Sequence, residues 1–529
     1  MSGPSYDALV VGSGFAGAWA AKELTEAGVR TLVLEAGPPR APGEIPERFP
    51  SRRPVPVPAG RADAGSGRRD ILLPRPASQH IQRRHPGFVS RGPHLFVDDA
   101  EHPYQTPENM PYNWIRGMQI GGRSLMWGGT SLRLSRYEFE APPLDGCPLS
   151  WPLRYEDLAS SYDAVEELMG VCGSGEGMPQ LPDSVYSRAP YPLTPAEEDF
   201  RRAYRQRDTR AIPVRFIPAE GGCDGWPGFT MQGTALAAAE RTRRMTLRPN
   251  SVVTEVTVDP QTGLATGVRY VDRTQRSAHE ARARVVFLCC GTIETARLML
   301  NSRGPRHPDG LGNSSGWVGR GLMDHPTVAA LGVLDGYQPV AGYEWSSRQR
   351  GLMIPPAPGC RADVRPFGIW LTLQRVAPNG LPLGTVAAQG EMLPYRHNRV
   401  RLGRATDRWG VPIPLIECAY GPHEARLCAA MRRAVAQVAA VAGLRIANAS
   451  RRLTAPGANV HDLGTARMGS RPDTSVLDAD NRCWDCPNVF VTDGACFPAA
   501  GWQNPSLTIM AISARAGRRA AALLREGVH

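Results

Sequence analysis

Apolar positions recur along this chain in three rhythms, and each predicts a different element. Residues 8–11 form a short solid apolar run that stops at Gly12. Ala16, Ala20, Ala21 and Leu24 then share one helical face, Gly28 ends the helix, and a second run over residues 31–34 stops at Glu35. Solid runs this short, with a helix between them, predict strands of a parallel sheet buried on both sides. The same logic returns at residues 284–291 (RVVFLCCG), followed at once by a helix over 292–300. Residues 246–258 and 267–272 alternate as strands around the turn Asp259-Pro260-Gln261-Thr262-Gly263. From about 326 to 402 the character changes. Residues 329–334, 367–373 and 386–392 are short apolar strands between Pro and Gly, predicting an antiparallel sheet and hence a second domain. Leu427, Met431, Val435 and Val438 make one stripe on a helix over 423–442, placed to cover that sheet. Further helices are predicted to open at Trp151-Pro152 and run through Asp157 to Met169, and over 195–207. A last one starts at Asn504-Pro505 and runs to about Leu524, with proline in the first helical position.

Length and composition narrow the class. At 529 residues the chain exceeds one ordinary core, so two or more domains are expected. The formal net charge of +11 does not argue for nucleic acid, because all but one of the 61 Lys and Arg are arginines scattered along the chain, with Lys22 the exception. No basic block or recognition-helix pattern is present, so no nucleic-acid partner is expected. Eleven cysteines in so long a chain do not make a disulfide scaffold. Cys483 and Cys486 form a CxxC without a second pair or nearby histidines, and are read as incidental loop residues rather than a metal site. No metal is expected. The N-terminus lacks a basic leader and no run of about 18 apolar residues occurs, so no membrane span and a cytoplasmic location are the expectation. Residues 38–110 are rich in Pro, Gly and Arg with little periodicity, which suits a lid, a binding loop or an irregular insertion.

The first turn carries chemistry. In Gly12-Ser13-Gly14-Phe15-Ala16-Gly17, Gly12 makes the tight turn, Gly14 lets backbone approach a pyrophosphate and Gly17 lets the helix pack on the strand. The helix N-terminus offers N–H groups and a positive dipole end to phosphates. Glu35, about 20 residues on, is placed to accept hydrogen bonds from ribose hydroxyls and would repel the 2′-phosphate of NADP. A bound dinucleotide is therefore expected. Farther on, Gly121-Gly122 and Gly128-Gly129 flank Ser124 and Trp127, allowing close backbone approach to something flat or charged. No HExxH or GxxxxGK[ST] occurs, and the one GxSxG string, at residues 312–316, follows no apolar strand and so makes no nucleophile elbow, which sets aside zinc protease, P-loop and serine hydrolase readings.

Taken in order, GSGFAG with Glu35, GGRSLMWGG, VVFLCCGTIETARLML, GLMDHP, HDLGTARMG, NVFVTDGACFP and NPSLTIMA resemble the glucose–methanol–choline (GMC) oxidoreductases over nearly the whole chain. The nearest look is to the bacterial branch with pyranose oxidases and glucoside 3-dehydrogenase catalytic subunits. The resemblance implies an α/β fold: a Rossmann-like FAD-binding domain from 1–45, 108–150, 210–325 and 455–529, and a discontinuous α+β substrate domain on an antiparallel sheet from 151–209 and 326–454. Residues 46–107 would be an insertion or lid loop. It implies FAD contacts at Gly12, Ser13, Gly14, Phe15, Ala16, Gly17, Glu35 and Ala36, and at Arg116, Gly122, Ser124, Trp127, Gly128 and Gly129. Val253, Cys290, Gly291, Asp493, Gly494, Asn504, Pro505 and Ser506 complete the set. Pyranose oxidases link FAD to a histidine in this loop; Met126 stands there and cannot make the link, so non-covalent FAD is expected.

By the same resemblance His461 is the base that takes the hydroxyl proton and Asn504 orients the alcohol oxygen, with hydride passing to flavin N5. His325 is read as structural. The implied activity is FAD-dependent oxidation of an alcohol to a carbonyl on a sugar, glycoside or sugar-like natural product, with a secondary ring hydroxyl favoured. The alternatives are a primary or non-sugar alcohol, including an aminoglycoside, a non-redox FAD-containing lyase, and a non-catalytic nucleotide-binding subunit. The electron acceptor (oxygen, quinone or cytochrome) and assembly into a homo-oligomer stay open.

Overall fold

The first apolar run forms the strand Tyr6–Val11, whose last four residues are buried. The computed structural model describes residues 6–45, 79, 81–82, 92–206, 209–338, 340, 351–357, 363–376 and 380–527. In it this strand is the middle of a parallel sheet. Thr31–Leu34 and Ser277–Leu288 run parallel on its two sides. Met245–Arg248 lies beyond the first, Cys486–Val491 beyond the second, and Arg482–Cys483 turns antiparallel at that edge. Val11 faces both Leu34 and Leu288, and Leu288 faces Val491, so these strands end level. A sheet that grows to both sides of its first strand leaves a crevice beyond the carboxyl ends, where ligands bind.

The helix Phe15–Glu26 buries the predicted face of Ala16, Ala20, Ala21 and Leu24, and Ala18 and Trp19 as well. Its far side is covered by the helices Ser506–Glu526 and Ala235–Arg241. Small residues let the helices close up: a Cβ on Gly517 would meet Glu23 Cβ at 2.9 Å. The 12-residue strand Ser277–Leu288 serves two partners. Its first half pairs antiparallel with Ala265–Asp272, and its second half joins the parallel sheet. The stretch 246–258, expected as one strand, is two. Pro249 lacks an N–H and Asn250 takes φ +56°, so Met245–Arg248 ends in the parallel sheet and Ser251–Val258 starts the antiparallel meander.

The second sheet has six strands in the order Leu444–Ala449, Thr327–Leu334, Pro382–Gly390, Phe367–Val376, Leu352–Ile354 and Ile212–Pro213, with every described pairing antiparallel. The helix Pro422–Val441 lies across it and buries the stripe Leu427, Met431, Val435 and Val438. The fold class is thus α/β with a separate antiparallel sheet. The hairpin Arg399–Thr406/Pro412–Glu417 does not join the six strands; it packs on the helix Thr292–Asn301. The helix expected over 195–207 is Pro195–Ala203 and gives way to a short strand at Arg205–Gln206. Cys483 and Cys486, expected in a loop, are buried free thiols on the edge strands. Of the expected insertion, residues 46–78 and most of 79–91 lie outside the described residues. Among the described residues no helix is long and apolar enough to cross a membrane.

Gly17 is the tightest point of the first turn, where a Cβ would meet Gly12 O at 1.8 Å. Gly17→Ala is expected to lower unfolding stability by roughly 3 kcal/mol, the upper end for overpacking, because the obstacle is backbone. Urea unfolding of the variant beside wild type measures it.

Candidate active site

Level strand ends bring their next residues together. Gly12–Ala16, Glu35–Ala36, Cys289–Ile293 and Asp493–Gly494 line one crevice, with Ser251–Thr254, Arg116 and Gly122 on its walls. A second cavity continues from it, lined by Met126–Thr130, Asn459–Asp462 and Asn504–Ser506. Phe15, Arg123, Asp462 and Ile509 belong to both. The result is an elongated slot with the glycine turn at one end and His461 at the other.

Two residues far apart in sequence meet in the second cavity. Asn504 Nδ2 lies 3.3 Å from His461 Nε2. With the amide as donor, Nε2 is the lone-pair nitrogen and the ring proton sits on Nδ1, the tautomer a base requires. Asn504 Oδ1 is buried without a hydrogen-bond partner. The His461 loop is fixed by Asp324, whose carboxylate accepts from the N–H groups of Gly457 (2.7 Å), Asn459 (3.3 Å) and His461 (3.1 Å). His325 stands edge-on to His461 with ring centroids 4.9 Å apart, and its Nε2 donates to Gly501 O at 2.9 Å. Burial holds His325 neutral, with its pKa lowered to about 4, which suits a packing role beside the base. The helix Ser506–Glu526 opens at this cavity with no side-chain cap, so its first-turn N–H groups present a positive end there.

Trp127 is fixed by its indole N–H to Phe229 O (2.9 Å) and by an edge contact with Phe15 at 4.7 Å. Val253, Cys290 and Gly291 line the first cavity, and Gly128, Gly129 and Pro505 the second. The Ser124 hydroxyl donates to Gly121 O and accepts from Met231 N–H. It shapes the loop from within. Gly17 lies behind the crevice. Glu35 faces the crevice with a carboxylate already holding three donors: Ser13 N–H (3.0 Å), Ser13 O–H (2.6 Å) and Gly37 N–H (2.8 Å). Asp493 likewise accepts from Gly291 N–H (2.8 Å), Thr295 O–H (2.5 Å) and Ala495 N–H (2.8 Å). Burial pushes both carboxyls above their ordinary pKa.

Sequence reasoning missed Arg123 and Asp462. Arg123 Nη1 donates to Asp462 Oδ2 (3.0 Å) and Val460 O (2.8 Å), and Tyr112 O–H donates to Asp462 Oδ1 (2.6 Å). Their only signal was position, Arg123 inside GGRSLMWGG and Asp462 beside His461.

Two family models described as GMC oxidoreductase match residues 6–327 and 394–513. The chain belongs to the GMC oxidoreductases. Paromamine 6′-oxidase of Streptomyces fradiae is 27% identical over 98% of this chain and 91% of its own length. A C-glycoside 3-oxidase of Arthrobacter globiformis is 26% identical, covering 98% and 96%. The fructose dehydrogenase large subunit of Gluconobacter japonicus is 25% identical, covering 97% and 97%. Among solved structures, pyridoxine 4-oxidase from Mesorbium loti superposes with a TM-score of 0.64 at 18% identity, over 97% and 99% of the two chains. Formate oxidase of Aspergillus oryzae does so with 0.66 at 17% identity, over 99% and 100%.

GMC oxidoreductases hold FAD, and the crevice of this member fits it. A Cβ on Gly291 would meet nothing within 4 Å and one on Gly14 only Gly122 Cα at 4.0 Å, so both glycines leave open room over the turn. Arg116 is buried on the same wall with Nε lacking a hydrogen bond.

Two groups beside His461 titrate oppositely. Asp324 is raised to about 7 by burial and by Asp462. The folded state therefore keeps a proton that the unfolded chain releases above pH 3.8, and this group lowers stability as pH rises from about 4 to 7. His325 stays neutral in the fold down to about pH 4, whereas the unfolded chain protonates below 6.5, so its contribution is lost as pH falls through that window. Each slope is about 1.4 kcal/mol per pH unit and they offset between pH 4 and 6.5. Asp324→Asn removes one of them; urea unfolding should show the variant losing stability toward pH 4 more steeply than wild type.

Proposed function

We propose that this GMC oxidoreductase oxidises an alcohol to a carbonyl on a sugar, glycoside or sugar-like natural product, with dissociable FAD as cofactor. The contact between His461 and Asn504, in a cavity walled by Trp127 and a helix N-terminus, carries the reading. Bound FAD supplies the two-electron acceptor for the carbinol hydride. His461 Nε2 takes the hydroxyl proton as the C–H bond breaks, because a carbinol gives up hydride poorly while its oxygen stays protonated. Asn504 would turn its Nδ2–H from the imidazole to the alcohol oxygen, leaving the Nε2 lone pair free for the proton. The first turn of Ser506–Glu526 would offer its positive end, and Arg123 a cation between the two cavities, to negative charge developing on bound FAD.

Relatives that act on aminoglycosides favour a second reading. Paromamine 6′-oxidase and the 6′′′-hydroxyparomomycin C oxidase of Streptomyces lividus are both 27% identical to this chain. A polycationic substrate needs free carboxylates near the base. Asp324 already accepts three N–H groups, and Asp462 is paired with Arg123 and Tyr112. A neutral polyol suits this wall better.

Anaerobic mixing of the yellow protein with a panel of glycosides, free sugars, simple alcohols and paromamine should bleach the flavin fastest with a neutral glycoside or sugar. No bleaching by any alcohol would favour the non-redox lyase. His461→Ala should keep FAD and slow flavin reduction by about 10²- to 10⁴-fold; an unchanged rate would remove it as the base. Besides His461, no histidine, cysteine or tyrosine lines the second cavity, where Met126 stands. Acid precipitation is accordingly expected to leave the yellow flavin in the supernatant, and colour in the pellet would show a covalent link.

A further inference from the structure

The hairpin Arg399–Thr406/Pro412–Glu417 lies in sequence between strands of the second sheet, yet its turn reaches the other end of the slot from His461. Asp407, Trp409 and Val411 line the first cavity. The turn is stiff. Asp407 Oδ1 accepts from the N–H groups of Trp409 (2.8 Å) and Val411 (3.1 Å), while its Oδ2 accepts from Arg297 Nη2 at 2.6 Å. Arg297, on the helix whose first residues face the crevice, also donates to Pro412 O (2.7 Å) and Val411 O (3.1 Å). Trp409 is thereby held with its indole Nε1 buried and without a hydrogen-bond partner. Four tryptophan N–H groups among the described residues are buried without an acceptor, those of Trp19, Trp151, Trp409 and Trp502, and of these residues Trp409 alone lines the crevice, where a ligand could accept from it.

Two contacts fix which end of a dinucleotide this is. Arg273 lies over the Trp409 ring at 5.8 Å and donates to Ala36 O at 3.0 Å, one residue past Glu35. The carboxylate end of the second strand is the ribose side of a dinucleotide fold. Arg116 closes the same region, its guanidinium 3.6 Å from the Trp114 ring centroid, held by His102 O and a 3.8 Å ion pair to Asp99, with Nε unpartnered.

We propose that the hairpin is a clasp on the adenosine monophosphate half of the cofactor, with Trp409 Nε1–H and Arg116 Nε–H donating to acceptor atoms there. The inference rests on the crevice being an FAD site, and adds to it an element outside the nucleotide-binding strands. It makes retention of the cofactor depend on a turn that is pinned by Asp407 and Arg297 and sits far from the reacting end.

The test is titration of the apoprotein with FAD, with ADP, and with FMN, which lacks the adenosine monophosphate half, followed by flavin fluorescence or, for ADP, by calorimetry. Trp409→Phe keeps a ring in place and removes the donor. It should weaken FAD and ADP by the same factor, about 2- to 10-fold for one hydrogen bond, and leave FMN unchanged. Asp407→Asn, which loosens the turn, should speed FAD dissociation without altering the FMN titration. Unchanged FAD affinity in Trp409→Phe, or equal losses for FAD and FMN, would overturn the clasp while leaving the flavoprotein reading intact. Failure of the wild-type apoprotein to bind FAD, ADP or FMN would overturn both.

Discussion

Everything at the slot depends on strands that end at one level. Because Val11 is in register with Leu34 and Leu288, and Leu288 with Val491, the residues that follow them emerge together on one edge of the sheet. A slip of one residue in any pairing would turn that strand's side chains to the opposite face and move its loop along the strand. The strands are short and buried on both faces, so the register is set by packing as well as by hydrogen bonds. The helix Phe15–Glu26 then sits against the sheet only because Gly17 presents no Cβ to Gly12 O.

The two carboxylates at this edge work differently from what charge alone suggests. Glu35 and Asp493 are buried, and each gathers three donors from the protein. Burying a carboxylate is costly unless donors surround it. Here the donors are the loops themselves, so Glu35 ties the glycine turn to the start of the next segment. Asp493 ties the N-terminus of Thr292–Asn301 to the strand beside it. Their charge is met by donors inside the walls, and the cationic side chains Arg116 and Arg123 line the slot beside them.

The parallel core, the helix stripes and the antiparallel sheet were legible because each rests on local periodicity: Leu427, Met431, Val435 and Val438 read as a buried face from spacing alone and are one. The meeting of His461 with Asn504 was reached through motif resemblance, since neither residue announces a role by itself. What could not be read was set by tertiary geometry. The break between Met245–Arg248 and Ser251–Val258 hangs on one left-handed asparagine after a proline inside an alternating run. The Ser124 hydroxyl bonds to Gly121 O and Met231 N–H within the loop, partners that the open glycine flanks of its motif do not announce. The place of Trp409 had no signal at all, because the hairpin's partner is a helix about a hundred residues earlier.

The position of His461 follows from how the chain passes between its two sheets. It leaves the parallel-sheet side at residues 321–326 and enters the second sheet at Thr327, then returns from Leu444–Ala449 through residues 450–461. Both crossings run side by side, and Asp324 on the outgoing one holds Gly457, Asn459 and His461 on the returning one. Asn459 adds the reverse tie, its side-chain amide donating to His325 O and Thr327 Oγ1. His461 is therefore mounted on the seam between the halves, two residues beyond a segment anchored from across it. An imidazole on a free loop would lose its contact with Asn504 with each fluctuation. Here its backbone is pinned by a buried carboxylate and its ring is backed by a histidine that stays neutral, so the two halves can shift against each other only by breaking bonds that also aim the imidazole.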